Sequence, residues 1–331
     1  VVGANWNGVG FWPLDRRYPS VLKGHDGGAI RVVFSPDSGW LASASWDGTV
    51  RLWPLSDSSP VRGGIVFDYR AHNDPSLWTL DVDSGGEFLV TGTTEGEVWL
   101  IPVNGDAPRL MGRHEDAVTA TAISPDGRII ASGSGFKNPA ERVIRLWELD
   151  TGHERALEPG DDRLVSDLQF LSDGRLLSAH NGGALRVWNL EDGSSRELFA
   201  EGATYLSVSR DEKRVLLRPG HGAGFGKPRL LDLVDGEVRN LPAFGSSRSI
   251  ALDPSGTMAL AGGDGVLRIG PATGGPAQLI FDRNLEAPWG VAFSPDGRWI
   301  AAGGSDGAVL VWPVPDISNP PLHTLPREEL I

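Results

Sequence analysis

The sequence contains no cysteine, which excludes a disulfide framework, a zinc–thiolate site and a cysteine nucleophile. It also lacks an apolar run of about 18 residues and the apolar core of a signal peptide, so we expect neither a membrane-spanning helix nor a membrane partner. These absences fit a cytoplasmic protein, which is the location that we expect. Because the first residue is Val1 rather than methionine, we also expect the chain to be a segment of a larger protein.

Positive charge is scarce as well. The chain has 30 lysine and arginine residues against 43 aspartate and glutamate residues, which gives a formal net charge of −13 at pH 7. Only four of the basic residues are lysines. Because a negatively charged surface repels phosphate backbones, we do not expect nucleic acid as a partner.

Turn-forming residues, by contrast, are abundant, with 44 glycines and 24 prolines spread along the chain. The stretch from Gly24 to Trp53 shows how they are used. It opens with Gly24-His25 and continues with three apolar runs of strand length. The segment Ser35–Gly39 separates the first two runs, and Asp47-Gly48 separates the last two. Both separators are typical of tight β-hairpins.

This pattern recurs along the chain with a period of about 40–45 residues, which is the spacing of propeller blades that have four strands each. A further apolar segment between repeats supplies the fourth strand, as at Ser20–Leu22 and Arg196–Phe199. The positions at which the third strand of each repeat closes are Trp12, Trp53, Ile101, Trp147, Trp188, about Asp232, Gly270 and Trp312.

The Gly-His opening and the tryptophan that closes the third strand resemble the WD-repeat family. The resemblance covers nearly the whole chain and is weakest between about residues 195 and 275. It implies an all-β fold, a seven-bladed WD40 β-propeller of four-stranded antiparallel blades. In that family one His, Ser, Asp and Trp of a blade form a hydrogen-bonded set, which implies a structural set of His25, Ser43, Asp47 and Trp53 here.

The expected domain organisation is a single β-propeller over residues 1–331. Within it we interpret residues 1–14 as partial repeat strands, 15–318 as seven repeats and 319–331 as a surplus outer strand or tail. The chain shows eight third strands but only seven first strands. An eight-bladed ring and an excerpt from a longer tandem array are therefore open alternatives.

No motif predicts a catalytic residue, a cofactor site or a metal site. His25, His72 and His114 fall one per repeat at the same blade position, where we expect a structural role rather than metal binding. No pair of acidic residues stands out for general acid–base chemistry, and Gly220–Lys227 lacks the spacing of a phosphate-binding loop. We therefore expect a protein that is not an enzyme, with a propeller hydrolase as the less favoured alternative.

Aromatic residues provide the candidate binding site. In the WD-repeat family, the loops that enter the first strand and those that join the second strand to the third lie on one face of the ring. Two long loops, 135–142 and 219–227, are expected to emerge on this face. Tryptophan and arginine are the residue types that most often dominate the energetics of interfaces. Aligning the repeats on these loops predicts the following members of a partner-binding face: Trp46, Trp78, Trp289, Arg248 and His180.

The sequence therefore predicts a protein–protein interaction scaffold, acting as the sensor or regulatory propeller of a larger signalling protein. Its repeats resemble the WD-repeat segments of bacterial multidomain proteins, which follow a serine/threonine kinase or a switch domain driven by a nucleoside triphosphate. The expected partner is a protein or peptide, or another domain of the same chain. Capture of a peptide or small ligand at the channel mouth is the alternative.

Overall fold

The computed structural model describes residues 2–5, 8–11, 20–55, 64–158, 160, 163–221, 224–263, 266–282 and 288–314. Their regular secondary structure is almost entirely β-strand. Their helical structure consists of two short 3-10 turns, Pro139–Glu141 and Pro242–Phe244. No helix in this part of the chain is long and apolar enough to cross a membrane.

The strands of the first half are β1 (Val2–Asn5), β2 (Gly8–Phe11), β3 (Ser20–Leu22), β4 (Ala29–Phe34), β5 (Trp40–Ser45), β6 (Thr49–Pro54), β7 (Gly64–Asp68), β8 (Asp81–Val82), β9 (Phe88–Gly92), β10 (Glu97–Pro102), β11 (Arg109–Arg113), β12 (Ala120–Ile123), β13 (Ile129–Gly133), β14 (Ile144–Glu148), β15 (Glu154–Leu157) and β16 (Val165–Phe170). Those of the second half are β17 (Leu176–His180), β18 (Leu185–Trp188), β19 (Ser195–Phe199), β20 (Tyr205–Val208), β21 (Arg214–Arg218), β22 (Gly220–His221), β23 (Gly224–Phe225), β24 (Arg229–Asp232), β25 (Val238–Asn240), β26 (Ser249–Leu252), β27 (Met258–Gly263), β28 (Val266–Pro271), β29 (Gln278–Asp282), β30 (Gly290–Phe293), β31 (Trp299–Gly303) and β32 (Val309–Pro313).

These strands form seven four-stranded antiparallel sheets arranged as the blades of a ring. Blades 1 to 4 are β4–β7, β8–β11, β12–β15 and β16–β19. Blade 5 is β20, β21, β24 and β25, blade 6 is β26–β29, and blade 7 is β30–β32 completed by β3. The first strand of each blade contacts the first strand of the next, and β30 contacts β4, which closes the ring around a central channel. The expectation of a seven-bladed β-propeller is confirmed.

The closure of blade 7 decides the number of blades. Strand β3 pairs with β32 in the antiparallel register Ser20 to Val311 and Leu22 to Val309. The outer strand at 20–22 therefore completes the last blade rather than an eighth one. Strands β1 and β2 pair with each other in a separate two-stranded sheet. The interpretation of 1–14 as partial repeat strands stays a prediction, and the surplus strand or tail expected at 319–331 lies outside the described residues.

Asp-centred turns explain why the first two strands of a blade form a hairpin. In blade 1 the Asp37 carboxylate accepts hydrogen bonds from the Ser35 hydroxyl at 2.6 Å and from the Gly39 N–H at 2.9 Å. Because these bonds are local, they fold the turn without help from the rest of the blade. The same Ser-to-Asp bond recurs in the equivalent turns of blades 3, 5 and 7, at Asp126, Asp211 and Asp296.

The hydrophobic core is divided among the interfaces between blades. Seven apolar clusters of described residues lie at the seven junctions, and each draws side chains from two neighbouring sheets. Trp53 of blade 1, for example, belongs to the cluster that contains Val309 and Val311 of blade 7. Each blade is therefore stabilised by its neighbours, as expected for a stacked repeat architecture.

Candidate interaction face and central channel

The structural set implied for blade 1 is one connected group of buried hydrogen bonds. The Trp53 indole N–H donates to Ser43 Oγ at 2.8 Å, and His25 Nε2 lies 2.7 Å from the same hydroxyl. On its other side, His25 Nδ1 lies 3.0 Å from the Asp47 carboxylate. Burial opposes ionisation of Asp47, but hydrogen bonds from His25 and Thr49 outweigh it and hold its pKa well below the usual value.

Blade 3 repeats this group with one substitution. Both the Trp147 indole N–H and His114 Nε2 are 2.8 Å from Ser132 Oγ. Glu141 takes the place of the aspartate and lies 3.4 Å from His114 Nδ1. Burial, followed by the positive charge of Arg145, lowers the pKa of His114 to about 4, which favours a neutral ring inside the blade.

In blade 4 the histidine of the group is His180, which the sequence had placed on the partner-binding face. Its ring is fully buried, and Nε2 lies 2.8 Å from Ser178 Oγ, the hydroxyl that also accepts from Trp188. Residues two apart on a strand share one side of the sheet, so Ser178 and His180 both point inward. When Ser178 and Trp188 are aligned with Ser43 and Trp53 of blade 1, Asn181 aligns with Trp46. The alignment that selected His180 was therefore one residue off. His180 therefore does not belong to the face.

Blade 2 differs from the expectation for His72. Tyr69 occupies the buried position. Its backbone N–H donates to the carbonyl of Gly48 in blade 1, just as the N–H of His114, the histidine of blade 3, donates to the carbonyl of Gly96 in blade 2. His72 instead stacks on the Tyr69 ring, with centroids 3.6 Å apart, and lies 3.3 Å from Glu95. The prediction that His72 fills the blade position of His25 was wrong. His72 itself is exposed.

Three of the predicted face residues come together. The ring centroids of Trp46 and Trp289 are 5.1 Å apart in an edge-to-face arrangement, and the Arg248 guanidinium carbon lies 4.5 Å from the Trp289 centroid. They belong to blades 1, 7 and 6, so consecutive blades meet here. We call these residues the aromatic–arginine patch. Edge-to-face rings and a cation above a ring are both favourable arrangements.

Two further features distinguish the patch from the rest of the surface. The Trp46 side chain is 36% exposed, which makes it one of the few exposed large apolar residues in the described part of the chain. The Trp289 indole N–H is buried and has no acceptor among the described residues. A buried donor without an acceptor is costly, so a carbonyl or carboxylate supplied by a partner would stabilise the site.

A glycine lets Trp46 adopt its position. The backbone N–H of Trp46 donates to the Gly28 carbonyl at 3.0 Å. The Trp46 indole lies against the backbone of Gly28. A Cβ at Gly28 would lie 2.9 Å from Trp46 Cε3, closer than side chains normally approach. The close approach of this backbone therefore helps to set the orientation of the exposed indole.

Trp78 forms a separate aromatic pair that the sequence reasoning did not foresee. Its ring lies 5.1 Å from that of Phe136, edge to face, and Phe136 is 52% exposed. Phe136 lies in the predicted long loop 135–142, between β13 and β14. The structure shows no ring contact between Trp78 and the aromatic–arginine patch. The apolar side chain at the tip of a long loop was the available signal for Phe136.

The central channel contains charged residues that the sequence reasoning missed. The Arg31 guanidinium of blade 1 donates to Asp167 of blade 4 at 3.2 Å, across the channel, and lies 4.6 Å from the Tyr205 ring centroid of blade 5. Beside this pair is a cavity of about 200 Å³, which Asp81 of blade 2 also lines. Because Arg31, Asp81 and Asp167 all lie on the first strands, their position on those strands was the signal that could have identified them.

The ionisable groups of the described residues do not assemble into a metal site. No group of three or more histidine, aspartate or glutamate side chains is arranged to hold a metal ion in this part of the chain. The histidines of blades 1, 3 and 4 are bound to serine hydroxyls inside their blades, away from the channel.

The fold and these sites define a closed ring of seven four-stranded blades, with a partly exposed aromatic–arginine patch on one face. Comparison with known proteins agrees with this class. Segments 17–54, 108–148 and 281–313 match the family model described as WD domain, G-beta repeat. These three segments are therefore WD repeats, in agreement with the seven-bladed ring.

Curated relatives cover different shares of the chain. WD repeat-containing protein 1 of chicken is 26% identical over 313 residues, which is 89% of this chain and 48% of the relative. Nuclear distribution protein PAC1-2 of Uncinocarpus reesii is 31% identical over 203 residues, 52% of this chain and 42% of the relative. Apoptotic protease-activating factor 1 of mouse is 25% identical over 232 residues, 61% of this chain and 18% of the relative. The chain thus spans about half or less of the length of each.

Proposed function

We propose that this propeller is a protein-interaction scaffold that binds a protein or peptide at the aromatic–arginine patch. The observation that carries the proposal is the contact between Trp46, Trp289 and Arg248, three residues contributed by three blades. Residues of these types supply large contact areas and hydrogen-bond donors at interfaces. The buried Trp289 indole N–H has no acceptor among the described residues, and a partner could supply one.

The finer part of the proposal concerns the setting of the propeller. We place it as the sensor or regulatory part of a larger signalling protein, presenting the patch to another domain or to a separate partner. The relatives support this setting in a general way, because in each of them the matched segment is accompanied by further sequence. The cytoplasmic location and the resemblance to bacterial multidomain proteins stay predictions.

A peptide or small ligand at the channel mouth is the second candidate. It would use the same patch, and it is favoured by the position of Trp289 and Arg248 at the entry to the first strands of blades 7 and 6. A propeller hydrolase is supported less well. The channel carboxylates Asp81 and Asp167 are accompanied by Arg31 and by no histidine among the residues that line the cavity.

The proposal is tested by affinity capture from a lysate of the host organism. The bait is the whole chain, beside the double variant Trp46→Ala, Trp289→Ala and the double variant Trp78→Ala, Phe136→Ala. Val234→Ala serves as the matched control, because Val234 is 75% exposed and lies in a connection between third and fourth strands, at the opposite end of the blades. Circular dichroism and the urea midpoint show whether all four proteins fold alike.

We expect the wild type and Val234→Ala to retain a protein that the Trp46, Trp289 variant loses. Loss in the Trp78, Phe136 variant as well would extend the site to that pair. Retention by every variant would place the interaction elsewhere and contradict the proposal. If a short peptide taken from the captured protein reproduces the binding on its own, the second candidate is favoured.

A further inference from the structure

Side chains of the first strands tie neighbouring blades together around the channel. Asp81 Oδ2 accepts the Ile123 N–H at 3.0 Å and so joins blade 2 to blade 3. Ser207 Oγ accepts the Leu252 N–H at 2.9 Å and so joins blade 5 to blade 6. Asp81 and Ser207 are each the penultimate residue of their strand, so they hold equivalent positions. A neutral hydroxyl is therefore sufficient to make this bond between blades. The bond alone does not explain why blade 2 has a charged carboxylate at this position.

No described side chain donates a hydrogen bond to the Asp81 carboxylate, which accepts the backbone N–H of Ile123. Arg31, the guanidinium in the wall of the same cavity, donates instead to Asp167. Asp167 also accepts the N–H groups of Leu168 and Leu206, at 3.2 and 3.0 Å. Arg31 and Asp167 thus pair with each other, and Asp81 is the carboxylate of the cavity wall that has no hydrogen-bonded cation among the described residues. Burial raises the pKa of Asp81 to about 6, and it outweighs the opposing effects of backbone hydrogen bonds and of the Arg31 charge.

The cavity has room for a small organic group. Its volume is about 200 Å³, against roughly 30 Å³ for one water molecule in the liquid. Val33, Leu168 and Leu206 supply apolar wall, while Asp81 and Gln169 supply acceptor oxygens. Val33, Asp81 and Gln169 are partly exposed, so solvent reaches the cavity. An alkyl stem that ends in a positive charge matches this mixture of walls.

We propose that the central channel is a binding site for an organic cation, an alkylammonium or guanidinium group held by Asp81. The Asp81 carboxylate takes the charge, the Gln169 amide oxygen accepts a further N–H, and the Arg31–Asp167 pair forms one wall. An ammonium group has three N–H donors and no acceptor, so two protein oxygens and water satisfy it. The cation can be a free small amine or the side chain of a lysine or arginine on a bound protein. This site goes beyond the partner-binding face and does not require it.

The chemistry of the wall favours an organic cation over a metal ion. Ca²⁺ and Mg²⁺ ions take six or more oxygen ligands, some of them from carboxylates. Here one of the two carboxylates is already occupied by Arg31. The apolar residues would contribute nothing to a hydrated metal ion, but they would bury the methylene groups of an alkylammonium ion.

The site is tested on the whole chain by saturation-transfer NMR, with n-butylammonium chloride as the cationic probe and n-butanol as a neutral probe of the same size. Asp81→Asn removes the charge and keeps an oxygen that can accept the Ile123 N–H. Asp81→Ser copies the arrangement of blade 5 and serves if the first variant does not fold. Asp150→Asn is the matched control, because Asp150 is an exposed aspartate in a turn.

At about pH 7.5, where Asp81 is ionised, we expect the wild type and Asp150→Asn to bind butylammonium in preference to butanol. The Asp81 variants should bind it at least about tenfold more weakly, since a charge-assisted hydrogen bond is lost. Equal binding by the Asp81 variants, equal binding of butanol, or no binding of butylammonium would each overturn the proposal.

A second arm of the experiment distinguishes the source of the cation. The probe is a short capped peptide, acetyl-Gly-Lys-Gly-amide, tested on the same four proteins. Binding that depends on Asp81 shows that a protein side chain can enter the channel. Binding of butylammonium without binding of the peptide assigns the site to free small amines. Either result supports an organic-cation site, and the capture experiment on the aromatic–arginine patch is decided independently.

Discussion

The interior of blade 1 and the central channel both bury polar and charged side chains, with opposite effects on ionisation. In blade 1, hydrogen bonds from His25 and Thr49 outweigh the burial of Asp47 and hold its pKa below the usual value. In the channel, burial dominates at Asp81 and raises its pKa to about 6. A buried carboxylate whose partners lie in its own blade is part of the fold. One without a hydrogen-bonded cation in the described part of the chain, such as Asp81, is maintained at a cost in stability, and such groups are candidates for a functional role.

The largest expected effect distinguishes two tryptophans of blade 1. Trp53 is 1% exposed and bonded to Ser43, whereas Trp46 is 36% exposed. Trp53→Ala should lower the free energy of unfolding by about 3–5 kcal/mol, because it leaves a cavity and removes the indole donor. Trp46→Ala should change it by less than about 0.5 kcal/mol, since the side chain is at the surface. Urea unfolding followed by circular dichroism measures both, and similar losses would show that Trp46 is structural.

The next prediction compares the carboxylates of Asp81 and Asp47. At about pH 7, Asp81→Asn should raise the free energy of unfolding by on the order of 2 kcal/mol, because it removes the cost of ionising a buried acid. Asp47→Asn should lower it by about 1–3 kcal/mol, because it weakens the hydrogen bonds with His25 and Thr49. The two effects have opposite signs, and urea unfolding of each variant measures them.

The pH dependence of these effects follows from the direction of each pKa shift. Asp81 has a raised pKa in the folded state, so its stabilising contribution is present below its unfolded pKa of 3.8 and is lost as the pH rises through about 6. Asp47 has a lowered pKa, so its contribution is present above 3.8 and is lost as the pH falls through the folded value. The gain from Asp81→Asn should therefore disappear at about pH 4. A gain that is constant with pH would mean that the charge of Asp81 is not its cause.

The smallest expected effect is a difference between blades in the rate of amide hydrogen exchange. Blades 1, 3 and 4 contain an indole N–H bonded to a serine hydroxyl. The third strands of blades 5 and 6 contain no tryptophan. We expect the amides of β21 and β27 to exchange before those of β5 and β13, with opening free energies lower by on the order of 1 kcal/mol, about the net contribution of one hydrogen bond. Ser43→Ala should reduce the difference, and earlier exchange of β5 in the wild type would contradict the prediction.

The fold could be predicted from the sequence because its signals are local and repeated. The turn at Ser35–Gly39 and the closing tryptophans recur in most blades, and even the weak region of 195–275 keeps its strand lengths. What the sequence did not decide was the role of Ser20–Leu22. Its pairing with β32 joins segments far apart in the chain, and no local pattern encodes such a partner.

The candidate site was predicted less completely. Trp46, Trp289 and Arg248 are in contact because the loops that carry them meet on one face, which alignment of the repeats could anticipate. His180 was misplaced because the turn after β17 differs in sequence from the one after β5, whereas the serine two residues earlier would have given the correct register. The Arg31–Asp167 pair was missed because it joins blades on opposite sides of the channel.

The pairing of β3 with β32 also fixes where the chain enters and leaves the ring. Ser20 lies opposite Val311, so the beginning of β3 and the end of β32 are neighbours at the same edge of blade 7. Any sequence attached on either side would be anchored at this one place. Tension between two such attachments would act directly on the three residue pairs of this junction, and opening it would expose the apolar sides of blades 7 and 1. Force transmitted through flanking segments would therefore be carried by the strand pairing that closes the ring.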